Sequence, residues 1–206
     1  APAARDLACS HDHRLAPPPD RVRALKRTGR PRVLVAGLGD TGVLIATRLA
    51  RSFDVVAVST RPALVSGQEL GTRLTSPERW RRTYLVPHRR FRKLDGVRTV
   101  HGRIDEVDLD AREVRIHTAD DELVTERYDI LVIATGASNG FWRHDRIEDL
   151  AAVEADLAAV SARIDAAATI AIVGGGPTGV SVADNLARRG RAHVHLFHSG
   201  DEPLPG

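Results

Sequence analysis

The sequence predicts an α/β chain: two βαβ units with a small antiparallel β-meander between them. Two observations carry that expectation. A glycine-rich turn occurs twice, in VAGLGDTGVLIATRL at Val35 to Leu49 and in VGGGPTGVSVADNL at Val173 to Leu186, each between a short apolar run and a helical pattern. Between them, from Val97 to Tyr128, the hydrophobic period drops to two, as in half-buried strands.

Residues 1–30 read as a flexible basic tail with Pro17-Pro18-Pro19 in its middle. Cys9-Ser-His-Asp-His13 has the residue types of a metal cluster, but the low apolar content around it favours disorder. Arg32 to Ala36 is short, apolar and β-branched, as expected of a buried parallel strand. VLIATRLARS then shows helical spacing, and Asp54 to Val58 supplies the next strand. Pro62, Gly67, Gly71, Pro77 and Pro87 break residues 60–95 into loops and short helices.

VRTVHGRI, EVDLD, EVRIHT and ELVTERY follow as short alternating strands, with turns at Asp110-Ala111 and Asp120-Asp121. Tyr128 to Gly136, YDILVIATG, is a continuous apolar run and so a buried strand. About Asp149 to Ala166 is an Ala-rich helix with Leu150, Val153, Leu157, Val160 and Ile164 on one face. TIAIVG, SVADNLARRG and HVHLF complete the second βαβ unit.

With 28% charged and 42% hydrophobic residues, the composition is that of a globular protein. The net charge of +3 is small, and the basic residues gather in the first thirty positions and in Arg79 to Lys93. Trp80, Tyr84 and Phe91 lie in the second run, but no groove-reading motif accompanies them. The run therefore reads as a solvated face, and nucleic acid is set aside as a partner. The single cysteine, Cys9, rules out an internal disulfide and a Cys-x-x-Cys pair. No apolar run reaches the ~18 residues of a membrane span and no signal-peptide core is present, which points to the cytoplasm and leaves peripheral membrane contact open. There is no methionine, even at position 1, so a processed product or part of a longer chain is expected.

The two turns explain the repeat. In Gly37-Leu38-Gly39-Asp40-Thr41-Gly42 the first glycine permits a tight turn and the second lets a pyrophosphate approach the backbone. The third packs helix on strand, and phosphate oxygens rest on amides at the helix N-terminus. Gly174-Gly175-Gly176-Pro177-Thr178-Gly179 repeats this Rossmann-like arrangement, with Pro177 presetting φ at the helix start. Asp40 is expected to turn away from the phosphates or to cap a helix starting at Thr41. An acid at the end of the second strand usually holds the ribose; here Ser59-Thr60-Arg61 and His198-Ser199 stand in that place. Two readings stay open: Arg61 or His198 contacts the 2′-phosphate of an NADP-type cofactor, or these are neutral loop residues.

Gly37, Gly39 and Gly42, then Ala134-Thr135-Gly136, then GGGPTGV at Gly174 to Val180 occur in this order in one group of proteins. From about Arg32 to Gly206 the chain resembles the flavoprotein reductases of the pyridine nucleotide–disulfide oxidoreductase superfamily. It is most similar to the branch without a redox disulfide: type II NADH dehydrogenases and the apoptosis-inducing-factor-like, or ferroptosis-suppressor-like, NAD(P)H:quinone reductases. Phe197-His198-Ser199 resembles the last of these. The resemblance implies that residues 31–148 form an incomplete FAD-binding domain. Residues 149–206 would then be a linker helix and the first half of an NAD(P)-binding domain, C-terminally truncated. It implies hydride transfer from nicotinamide to flavin and on to a small-molecule acceptor, such as a quinone, with no side-chain nucleophile. The sequence departs from the family at Ser59, in place of the ribose acid, and at Ser181, in place of a Glu. VSGQELG stands where a disulfide reductase carries its cysteine pair. The alternative is a non-catalytic dinucleotide-binding or sensing module; a monooxygenase-like flavoprotein fits the meander and GGGPTGV less well. Catalytic residues, NADH against NADPH and the oligomeric state stay open.

Overall fold

The computed structural model describes residues 29–65, 70–136, 144–200 and 203–204. The Cys9 to His13 stretch and most of VSGQELG lie outside them. In chain order the elements are β1 (Arg32–Ala36), α1 (Asp40–Leu49), β2 (Asp54–Ser59), β3 (Ala63–Val65), α2 (Leu70–Thr75), α3 (Pro77–Tyr84) and β4 (Leu85–Pro87). Two 3-10 turns, His88–Arg90 and Arg92–Leu94, lead to β5 (Val97–Asp108), β6 (Glu113–Thr118), β7 (Leu123–Arg127) and β8 (Ile130–Ile133). The chain continues through α4 (Leu150–Ala166), β9 (Thr169–Val173), α5 (Pro177–Arg189) and β10 (His193–Phe197).

The first sheet has six strands in the order β7-β6-β5-β2-β1-β8. Its β5-β2-β1-β8 half is parallel, with Val33, Leu34, Val35 and Ala36 of β1 facing Val55, Val56, Ala57 and Val58 of β2. Successive β1 side chains point to opposite faces, so both faces need cover. Val33 and Val35 pack under Val43 and Ala46 of α1. Leu34 and Ala36 meet Val114, Ile116 and Tyr128, so the meander covers the other face.

Two expectations are corrected. VRTVHGRI and EVDLD form one strand, β5, whose register against β6 shifts between Ile104 and Glu106. The bulge adds one residue and interrupts the two-residue period, so a continuous strand looks like two. YDILVIATG is not a buried strand: β8 spans only Ile130–Ile133 at the sheet edge, with Ile133 76% exposed. Among the described residues its apolar run has a strand partner, β1, on one side only.

Residues 60–95 build a second layer. Trp80 is fully buried among Ala63, Leu85, Val153 and Leu157, and the Arg73 guanidinium lies 4.6 Å from its ring centroid. The aromatic residues of the basic run thus include a core anchor. The face expected on α4 is the one that packs, with Asp149 capping the helix by accepting from the Ala152 N–H at 2.7 Å. β9 and β10 pair in parallel as a separate two-stranded sheet under Val182 and Leu186 of α5. Gly190, at φ 64°, closes α5 in the left-handed region. α2 crosses α5 so closely that a Cβ on Gly71 would lie 2.9 Å from the Ser181 carbonyl oxygen. Among the described residues no helix is long and apolar enough to cross a membrane.

Candidate functional site

Both turns have the same internal construction. Gly37 and Gly174 sit at φ 101° and 118°, a region costly for any residue with a Cβ. A Cβ on Gly42 would be driven into the Gly37 carbonyl oxygen, and one on Gly179 into that of Gly174. Around Gly39 and Gly176, by contrast, none of the described residues comes within 4 Å of where a Cβ would be, chain neighbours aside. The outer glycines are needed by the protein itself, and the middle one is open among the described residues.

Gly39 and Gly176 are also the N-caps of α1 and α5, and neither helix start receives a side-chain cap. First-turn amides therefore face the space beside the middle glycine, as a phosphate-binding cradle requires. Pro177 occupies the first position of α5, where its missing N–H costs nothing. The expectation that Asp40 caps α1 is corrected. The helix begins at Asp40, so its exposed carboxylate lies in the first turn, beyond the cap position, and meets the positive end of the helix dipole. Thr41 is exposed beside it.

The first turn is set among three other segments. Ala134 donates its N–H to the Ala36 carbonyl at 2.8 Å, and a Cβ on Gly37 would collide with the Ala134 carbonyl, so the Ala134-Thr135-Gly136 segment starts against the turn. Gly37 donates to the Val58 carbonyl at 2.8 Å, placing Ser59-Thr60-Arg61 beside it. The Ser59 hydroxyl accepts from the Arg61 N–H at 3.2 Å. The Arg61 Nε–H donates to Glu148 at 2.7 Å, and Glu148 is only 3% exposed. A carboxylate is therefore present near the end of β2 after all, but it comes from just before α4 and is matched to a guanidinium.

Leu38, Ser59, Arg61, His88, His101 and Asp149 are among the residues lining a cavity of about 500 Å³ at this end of the sheet. His101 Nε2 lies 3.2 Å from the Thr60 carbonyl oxygen and 3.1 Å from that of Glu148. Carbonyls only accept, so that nitrogen carries the proton and joins two loops. Burial pushes the His88 pKa below the usual histidine value, against its bond to Leu38 and with a smaller contribution from His101. His144, Glu148 and Asp156 bring their ligand atoms within 4.8 Å of one another, but Arg146 bridges Glu148 and Asp156 and supplies the opposing charge.

The second turn has thinner surroundings. Gly174 donates to the Phe197 carbonyl at 2.8 Å, and a Cβ on Gly175 would lie 2.7 Å from the His198 Cβ. His198 therefore backs the turn, and it and Ser199 are both exposed. The Ser181 carbonyl accepts from the Asn185 amide at 2.8 Å. Glu148, His88 and His101 escaped the sequence reading. Their contacts span 41 to 87 residues, and no local pattern encodes them.

Two such glycine turns on parallel βαβ strands define a protein of the dinucleotide-binding α/β class. The chain belongs to the pyridine nucleotide-disulphide oxidoreductase family, whose model matches residues 31–206. No curated protein matches it. Its structure is similar to reduced Bacillus anthracis CoADR-RHD, with TM-score 0.66 and 21% identity over 87% of this chain and 34% of that one. It is also similar to NDH2 from Plasmodium falciparum in complex with NADH (0.66, 17%, covering 85% and 43%). A NAD-dependent persulfide reductase from A. fulgidus is a third such structure (0.62, 23%, covering 82% and 34%). The chain thus spans less than half the length of these proteins.

Proposed function

We propose that the protein is an FAD-dependent NAD(P)H oxidoreductase in which residues 31–148 hold FAD and residues 149–206 contribute to the NAD(P)H site. The observation that carries this reading is the pair of open cradles at Gly39 and Gly176 on one chain of this family. Bound nicotinamide and flavin supply hydride chemistry, and the acceptor that follows is a small molecule, a quinone in our reading. The chain's own residues bind and orient. First-turn amides of α1 and α5 take the two pyrophosphates, the Ala134-Thr135-Gly136 segment borders the first turn, and the Arg61–Glu148 pair closes the ribose end of the cavity. NDH2 and the water-forming NADH oxidase from Lactobacillus brevis were both solved with NADH, which supports the nicotinamide assignment. In the second unit, exposed His198 and Ser199 replace a carboxylate and so tolerate a 2′-phosphate. The location proposed is cytoplasmic, with peripheral membrane contact where a quinone is the acceptor.

The test is the absorption spectrum of the purified intact protein, followed by rapid mixing with NADH and with NADPH. A flavin spectrum that bleaches on mixing is expected. Bound flavin that neither nucleotide reduces would favour the sensing module, and a flavin-free protein would overturn the reading.

A further inference from the structure

The cavity beside the first turn lacks the strand-end acid that usually orders the ribose loop, yet its loops converge on one buried side chain. His88 is 8% exposed and begins the 3-10 turn after β4. Its backbone N–H donates to the Pro62 carbonyl at 3.0 Å, in the loop that follows β2. Its Nε2 lies 3.2 Å from the carbonyl oxygen of Leu38, between the first two glycines of the phosphate turn. That oxygen can only accept, so Nε2 bears the hydrogen and the ring is held in one tautomer. One residue thus joins the phosphate turn to the ribose loop across the cavity.

We propose that His88 is a positioning residue for the first dinucleotide, fixing the Leu38 carbonyl so that the neighbouring amides keep the spacing a pyrophosphate needs. This rests on the reading that the first unit holds FAD. An imidazole suits the task because it combines a directed donor with a flat ring that packs in a buried site. The lowered pKa is consistent with a neutral ring at physiological pH.

Two amide substitutions test the contact in the intact protein. The nitrogen of His88→Gln reaches the place of Nε2, whereas that of His88→Asn stops short and leaves the Leu38 carbonyl without its donor. FAD is titrated into each flavin-stripped protein and followed by flavin fluorescence, with NADH binding as the internal control. The Asn variant is expected to bind FAD about tenfold more weakly, with the Gln variant near wild type. NADH affinity stays unchanged in both. Equal affinities in all three proteins, or equal losses in both variants, would overturn the proposal. If the Asn variant does not fold, His88→Met, of similar length and without a donor, takes its place. A wild-type protein that takes up no FAD sinks the cofactor reading itself, a different result from wild-type uptake that the variants leave unchanged.

Discussion

β1 and β2 each bury four consecutive residues, whereas β9 and β10 alternate between half-covered and exposed positions along their whole length. Val173 at the end of β9 is 86% exposed, and Phe197 at the end of β10 is 55% exposed. Yet the turns these strands feed into are close copies, down to the positive φ of the first glycine and the closed contact of the third. The difference teaches that turn geometry is a local property of glycine spacing. The walls of a pocket are a property of what packs around it. The first turn has a cavity with an ion pair and two histidines; the second has one backing histidine.

Removing Glu148 should separate the two units most sharply. Glu148→Ala leaves the mostly buried Arg61 without its partner and should cost about 3–5 kcal/mol, read as a lower midpoint in urea unfolding. An unchanged midpoint would mean the first cavity is no better braced than the second. Leu34→Ala in β1 should cost about 2–5 kcal/mol. Val173→Ala in β9 should stay within about 0.5 kcal/mol, and equal losses would erase the contrast in burial.

A smaller effect distinguishes glycines within one turn. Gly42→Ala should destabilise by about 1–3 kcal/mol, because its Cβ meets backbone. Gly39→Ala should leave the thermal midpoint unchanged and weaken only FAD binding. Loss of stability in Gly39→Ala would show that the cradle is not open.

The mildest prediction concerns pH. The folded protein disfavours protonated His88, so the unfolded chain binds more protons once the pH falls below the ordinary histidine range. The resulting stability is fully present above about pH 6.5 and declines as the pH drops toward the lowered value. His101, Arg61, Arg89 and Asp149 line the same cavity, so the slope is read as the difference between wild type and His88→Gln. Identical slopes would remove His88 from the account.

The two βαβ units were legible because strand, glycine turn and helix are neighbours in sequence. β1 was expected and found at Arg32–Ala36, and the helix expected over about Asp149 to Ala166 is α4, Leu150–Ala166, with Asp149 as its cap. What escaped was non-local. β8 carries the same kind of apolar run as β1 but occupies an edge, because pairing partners are chosen by topology. The bulge hid the continuity of β5. Arg61 read as a candidate phosphate contact, and only the fold brings Glu148 to it from 87 positions away. His88 lay in a basic run whose arginines are solvated while the histidine is not.

β5 pairs in parallel with β2 over Val97 to His101 and in antiparallel fashion with β6 over Gly102 to Asp108. At the changeover, a Cβ on Gly102 would lie 2.5 Å from the His117 carbonyl oxygen, so the strand crosses there only because the position is bare. In engineering terms β5 is a cantilever: anchored against β2 up to His101 at the cavity, it carries a hairpin beyond Gly102. Length changes at the hairpin tip near Asp110, at the far end of β5 from His101, should therefore be absorbed outside the cavity, whereas the turn near Asp121 sits against His101 through the Ala119 N–H. That makes the Asp110 tip the natural place to attach a probe or a fusion partner without disturbing the cavity.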